Sequence, residues 1–118
     1  MRNVLIVDDD DELSGTLQEV LEMENCAVTR VTSCSDATRV LGEQQFDLVL
    51  LDWQLGDRPG IELLKNYRQS GGKAKVLMLT GMRDPQWRQA GSAAGADDFI
   101  TKPFTVDQFL ERLRSNLY

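Results

Sequence analysis

The chain has 118 residues, 42% of them hydrophobic and 27% charged, which is the size and balance expected of one soluble globular domain with its own core. Its 19 acidic side chains against 13 basic ones give a formal charge of −6 with no lysine or arginine cluster, which argues against direct nucleic-acid binding. It contains no histidine, so serine–histidine–acid hydrolysis and the familiar zinc chemistries drop out, leaving carboxylates, hydroxyls, a lysine and hard cations.

VLIV at 4–7 predicts a first strand, and DDDDE follows it directly. Four adjacent aspartates repel one another unless a cation, solvent or an oriented backbone compensates. Leu13, Leu17, Val20 and Leu21 form a helical stripe. The open N–H groups at the start of that helix suit negative charge, with Asp11 as the expected cap and Asp10 and Glu12 facing solvent. VTRV at 28–31 predicts a weaker second strand, and Ala37, Val40 and Leu41 mark the helix after it. DLVLL at 47–51 is the third strand, followed by a helix carrying Ile61, Leu64 and Tyr67 or Arg68. KVLMLT at 75–80 is the fourth, and residues 85–94 form its helix although Gly91 lowers the local propensity. FI at 99–100 is the fifth, and Phe104 to Leu117 predicts a last amphipathic helix around Val106, Phe109, Leu110, Leu113 and Leu117. No stretch approaches the ~20 apolar residues needed to cross a bilayer, and the N-terminus lacks a secretory core, so no membrane insertion and a cytoplasmic location are expected. Cys26 and Cys34 are not expected to pair in a chain able to build its own core.

Near-continuous apolar strands alternating with helices imply an open α/β domain, a parallel sheet between two helix layers. Ligands in such sheets bind beyond the carboxyl ends of the strands. Asp8 and Asp9 follow the first strand, Asp52 the third, Thr80 closes the fourth and Lys102 lies past the fifth. If the first and third strands are neighbours, three carboxylates share one pocket and make a receptor for Mg²⁺. DDDDE lacks the alternating ligand positions and glycine turn of a calcium loop.

LIVDDD, LLDWQLGDRPG, LMLTG, GADDFI and TKPF together, in this order over nearly the whole chain, resemble the receiver domain of the two-component response-regulator family. The resemblance implies one receiver domain over residues 1–118, a doubly wound (βα)5, flavodoxin-like fold with strand order 2-1-3-4-5. It implies that Asp52 is the phosphoacceptor and that Asp9 binds Mg²⁺ directly and Asp8 largely through water. The backbone carbonyl of Gln54 would be a further metal ligand. Thr80 and Lys102 would contact the phosphoryl oxygens, Phe99 would be the aromatic switch, and Gln54 and Met82 would tune phosphate lifetime. Lys102–Pro103 is expected to be cis. The implied donor is a sensor histidine kinase or histidine phosphotransfer protein, and the chain would catalyse its own Mg²⁺-dependent phosphorylation and dephosphorylation.

The resembling family transmits its signal through helix four, strand five and helix five, by homodimerisation or effector contact; Arg88, Asp98, Arg112 and Arg114 are the polar candidates there. Gly56 departs from the proline common at its position. Trp53 is read as packing near the site and Trp87 as a helix-surface residue. Two other readings are a pseudo-receiver that binds without being phosphorylated and an aspartate-nucleophile phosphohydrolase. The second would want an acid/base aspartate where this chain has Gln54.

Overall fold

A computed structural model describes residues 1–56, 58–81 and 85–117, so Met82 lies outside the described residues. The chain runs β1 (Arg2–Val7), α1 (Asp11–Met23), β2 (Cys26–Val31), α2 (Cys34–Glu43), β3 (Leu48–Asp52), α3 (Gly60–Gln69), β4 (Lys75–Thr80), α4 (Pro85–Ala94), β5 (Asp98–Thr101) and α5 (Val106–Leu117). All neighbouring strands pair in parallel, in the order β2-β1-β3-β4-β5. The fold is therefore the doubly wound α/β sandwich of the sequence reading.

Side chains alternate across each strand and supply two cores. Leu5, Val7, Val49, Leu51, Val76 and Met78 face α2, α3 and α4, packing with Ala37, Val40, Leu63, Leu64 and Ala94. Val4, Ile6, Leu48, Leu50, Leu77 and Leu79 face α1 and α5, packing with Leu17, Leu21, Phe109, Leu113 and Leu117. Burial on both faces explains why these strands read as unbroken apolar runs. Among the described residues no helix is long and apolar enough to cross a membrane. Cys26 and Cys34 are both buried, and neither forms a disulfide.

Three expectations change. The cap of α1 is Asp10, not Asp11: Asp10 is extended (φ −86°, ψ 99°) and its carboxylate accepts from Leu13 N at 3.0 Å. Asp11 is instead the first helical residue and pairs with Arg30 at 3.5 Å. The last helix begins at Val106 rather than Phe104, because Thr105 Oγ1 accepts from Gln108 N (3.1 Å) while Gln108 Oε1 accepts from Thr105 N (2.9 Å), a reciprocal cap. Val106, next to that cap, is 47% exposed and outside the apolar stripe. Arg114 leaves the strand-five face altogether, its guanidinium donating to Glu24 at 3.0 Å beside the end of α1.

At the end of the sheet where β4 and β5 start, Arg68 ties α3 to the turns around it. Its guanidinium donates to Gly95 O (3.0 and 2.9 Å), Gly72 O (3.0 Å) and Asp97 Oδ2 (2.9 Å), and Asp97 Oδ2 also accepts from Val76 N at 2.8 Å. Gly95 can offer its carbonyl there because it adopts φ +112°, a conformation that side chains rarely take.

On the buried face of α1, Ser14 is 2% exposed and its Oγ finds no partner among the described residues. A buried hydroxyl without a partner keeps its desolvation cost, and alanine is the better helix former. Ser14→Ala should therefore raise the unfolding free energy by about 1 kcal/mol. Urea denaturation checks this, and a lowered midpoint would show that the hydroxyl is satisfied in solution.

Candidate functional site

Strand pairing assembles the carboxyl edge. Val7 pairs with Leu51, Asp52 with Leu79 and Thr80 with Thr101, so the residues ending β1, β3, β4 and β5 line up along one rim. Asp8 is held just past β1 by donation of its N–H to Val31 O at 3.2 Å, and its own Oδ1 accepts from Asp10 N at 2.9 Å. Lys102 N donates to Thr80 O at 2.7 Å, which brings the lysine back over the rim; the Lys102–Pro103 peptide that follows is cis.

The Lys102 ammonium donates to Asp8 Oδ2 at 3.0 Å and lies 3.5 Å from Asp52 Oδ1. Asp8 is 1% exposed, Asp52 8% and Thr80 3%, whereas Asp9 is exposed. Asp52 Oδ1 also accepts from Gln54 N at 3.3 Å. Two buried carboxylates thus share one cation, leaving net negative charge in the pocket. Burial, then the nearby Asp8 charge, raises the Asp52 carboxyl from 3.8 to about 6, against the opposing pull of Lys102 and the Gln54 N–H. Burial alone would make Lys102 a weaker base. The Asp8 hydrogen bond and the Asp52 and Asp8 charges outweigh it and hold the ammonium above its ordinary range.

Carboxylate oxygens of Asp8, Asp9 and Asp52 all lie within 4.8 Å of one another. An oxygen-only cluster with excess negative charge suits a hard divalent cation. Beside it Gly56 leaves room: a Cβ there would stand 3.6 Å from Asp9 Oδ2. The loop after Asp52 folds back on itself, with Gly60 N donating to Trp53 O at 2.7 Å and an isolated bridge between Gln54 and Pro59. A Cβ on Gly60 would collide with the Asp52 carbonyl oxygen, so only glycine lets α3 start this close to the strand.

Phe99 is buried (7% exposed), one strand-edge residue away from the rim, and the Arg88 guanidinium lies 5.8 Å from its ring centroid. Asp98 accepts from Arg112 and Asn116, both at 3.0 Å, joining β5 to α5. Two features escaped the sequence reading. Trp53 and Trp87, read separately, meet edge to face at 5.3 Å and 79°. Gly91, read only as a weak helix former, is where Phe99 and Trp53 converge. Neither has a signal in local periodicity, because each joins elements distant in sequence.

Residues 4–114 match the response regulator receiver domain family. The chain is 39% identical over 114 residues to "Response regulator RppA" of Synechocystis sp., covering 95% of this chain and 49% of that protein. It is 38% identical over 117 residues to "Transcriptional regulatory protein CpxR" of Escherichia coli, covering 99% and 50%. The chain spans about half the length of the curated relatives it matches. Among solved structures it superposes on the "Non-phosphorylated HemR Receiver Domain from Leptospira biflexa" with a TM-score of 0.93 at 34% identity, covering 99% of this chain and 94% of that one.

Proposed function

The chain belongs to the response regulator receiver domain family of two-component systems, and from that premise we propose that it is a phosphoryl-accepting switch with Asp52 as acceptor. The observation that carries this reading is the buried Asp8–Lys102–Asp52 cluster at the carboxyl edge, where one lysine bridges two carboxylates. In an inert core such a cluster is a burden; next to an incoming phosphoryl group each member has work.

A carboxylate oxygen of Asp52 attacks phosphorus, forming the acyl phosphate, while the bond from phosphorus to the donor's imidazole nitrogen breaks and its electron pair leaves with the ring. Family membership implies as donor the phosphohistidine of a sensor histidine kinase or a histidine phosphotransfer protein, and this chain has no histidine of its own. The Lys102 ammonium offsets charge on the transferring group, and the Thr80 hydroxyl donates to one of its oxygens. Mg²⁺ held by Asp8, Asp9, Asp52 and the Gln54 carbonyl would neutralise the carboxylates and orient a phosphoryl oxygen. Gln54 and Met82, two residues beyond Asp52 and Thr80 in the sequence, would tune the phosphate lifetime. Thr80, drawn to the phosphoryl group, shifts the space open to Phe99, which carries the signal to the α4–β5–α5 face for an effector or a second copy of the chain. A groove of about 350 Å³ lined by Asp10, Leu13, Lys102, Pro103 and Phe104 gives a donor protein apolar surface at the acceptor's edge.

Incubation with acetyl phosphate or phosphoramidate and Mg²⁺, followed by intact-mass measurement and peptide mapping, tests the reading. One phosphoryl group on Asp52, absent in Asp52→Asn, is the expected result. Undiminished labelling of Asp52→Asn would remove Asp52 from the role, and no labelling of wild type at all would leave a binding module only.

A further inference from the structure

We propose that the groove between the loop after β3 and the first turn of α4 docks an extended segment of a partner protein, one that carries an aromatic side chain beside an acidic one. The groove has a volume of about 500 Å³ and is lined by both indoles, by Leu55, Pro59 and Ile61, and by Arg58. Trp87 is 41% exposed and Trp53 4%, and their rings meet edge to face at 79°. Two aromatic planes so nearly perpendicular form a corner. A third ring entering it can stack on one indole while meeting the other edge to face, the two arrangements that aromatic pairs prefer.

Charge selects what accompanies that ring. Arg58 is exposed, and among the described residues its guanidinium forms no ion pair. A cation bordering apolar surface, on a chain whose formal charge is −6, favours an anionic partner at this one place. The shape selects a segment over a small molecule. Gln54, Gly56, Arg58, Pro59 and Trp87 are all exposed, so the groove is open rather than closed over, whereas small-molecule sites bury most of their ligand. Tryptophan and arginine are also the side chains on which protein interfaces most often concentrate their binding energy. The loop is set before anything binds: Leu55 N donates to Arg58 O at 3.1 Å, and Gln54 and Pro59 form a bridge, so docking does not have to order it. The groove shares no lining residue with the one formed by Phe99, Arg88 and Arg112, which makes it a surface separate from the α4–β5–α5 face and independent of whether Asp52 carries a phosphoryl group.

The two tryptophans of the chain both line the groove, so the indole N–H signals in NMR spectra report on it directly. The probe is the synthetic peptide acetyl-Gly-Glu-Phe-Glu-Gly-amide, titrated into the 118-residue chain. Both indole signals should shift saturably. Peptides with glutamine in place of glutamate, or alanine in place of phenylalanine, should each bind about threefold more weakly or worse. Trp87→Ala should cost about tenfold, with the Trp53 indole as the remaining reporter. Arg58→Glu should reverse the preference, binding the corresponding lysine peptide more tightly than wild type does, a gain that misfolding could not produce. No saturable shift of either indole at about 10 mM peptide, far weaker than a useful docking contact, would overturn the proposal. So would equal binding of the glutamate and glutamine peptides, or phenylacetate binding as tightly as the peptide, which would make the groove a small-molecule site instead.

Discussion

Asp52→Asn should be more stable than wild type, by about 1–3 kcal/mol above pH 6 in the absence of divalent cations, while losing phosphoryl acceptance entirely. The wild-type carboxyl is buried beside Asp8 and rises from 3.8 to about 6. Between those values the native state holds a proton that the unfolded chain releases, so wild type gains stability as pH falls through that window and carries the full charge cost above it. Asparagine keeps the shape without the charge, and Lys102 keeps Asp8 as a partner at 3.0 Å, so no ammonium is orphaned. The advantage of the variant should therefore be complete at pH 8 and vanish below about pH 4. Urea denaturation of both proteins across this range, in chelator, measures it. Added Mg²⁺ should narrow the gap by stabilising wild type more, as expected for a ligand that binds only the folded site. A variant that is no more stable at pH 8 would mean that Lys102 already compensates the buried charge in full.

Gly60→Ala should act in the opposite direction and cost about 3 kcal/mol or more. The added Cβ would collide with the carbonyl oxygen of Asp52 and stand 3.3 Å from the Trp53 oxygen, and both are backbone atoms that cannot turn aside. The helix would have to retreat, breaking the 2.7 Å bond from Gly60 N to Trp53 O and loosening the loop whose Gln54 N–H steadies Asp52. Acceptance should slow along with the loss of stability. Gly42→Ala is the matched control, because a Cβ at 42 meets nothing within 4 Å and should stabilise α2 by about 0.5–1 kcal/mol. Equal urea midpoints for Gly60→Ala and wild type would show that α3 slides to admit the methyl.

Much of this architecture is legible in the order of residues because two-sided burial leaves a strong local mark. VLIV, LVLL and VLML have no polar side to hide, and the helical stripes between them alternate cleanly with turns. The rim residues are legible for a related reason: a charged or hydroxyl side chain at the end of such a strand has nowhere to go but the edge. Legibility fails where neighbours are chemically equal or where the partner is far away. Nothing in DDDD says which carboxylate caps α1; that is decided by where the backbone turns helical, and it turns after Asp10. Val106 looks like a member of the apolar stripe until the Thr105–Gln108 cap sets the helix start and leaves its side chain outside. The Trp53–Trp87 contact and the crowding at Gly91 depend on bringing β3, α4 and β5 together, which no window of sequence contains.

The Arg68 fastening lies at the opposite end of the strands from Asp52, Thr80 and Lys102. That separation frees the two ends to change on different schedules over generations. Substitutions at the rim can change its chemistry while the guanidinium continues to bind α3 to the starts of β4 and β5. A lineage can thus alter the chemistry of the rim and retain the scaffold, and its descendants would still be recognisable by their foundations.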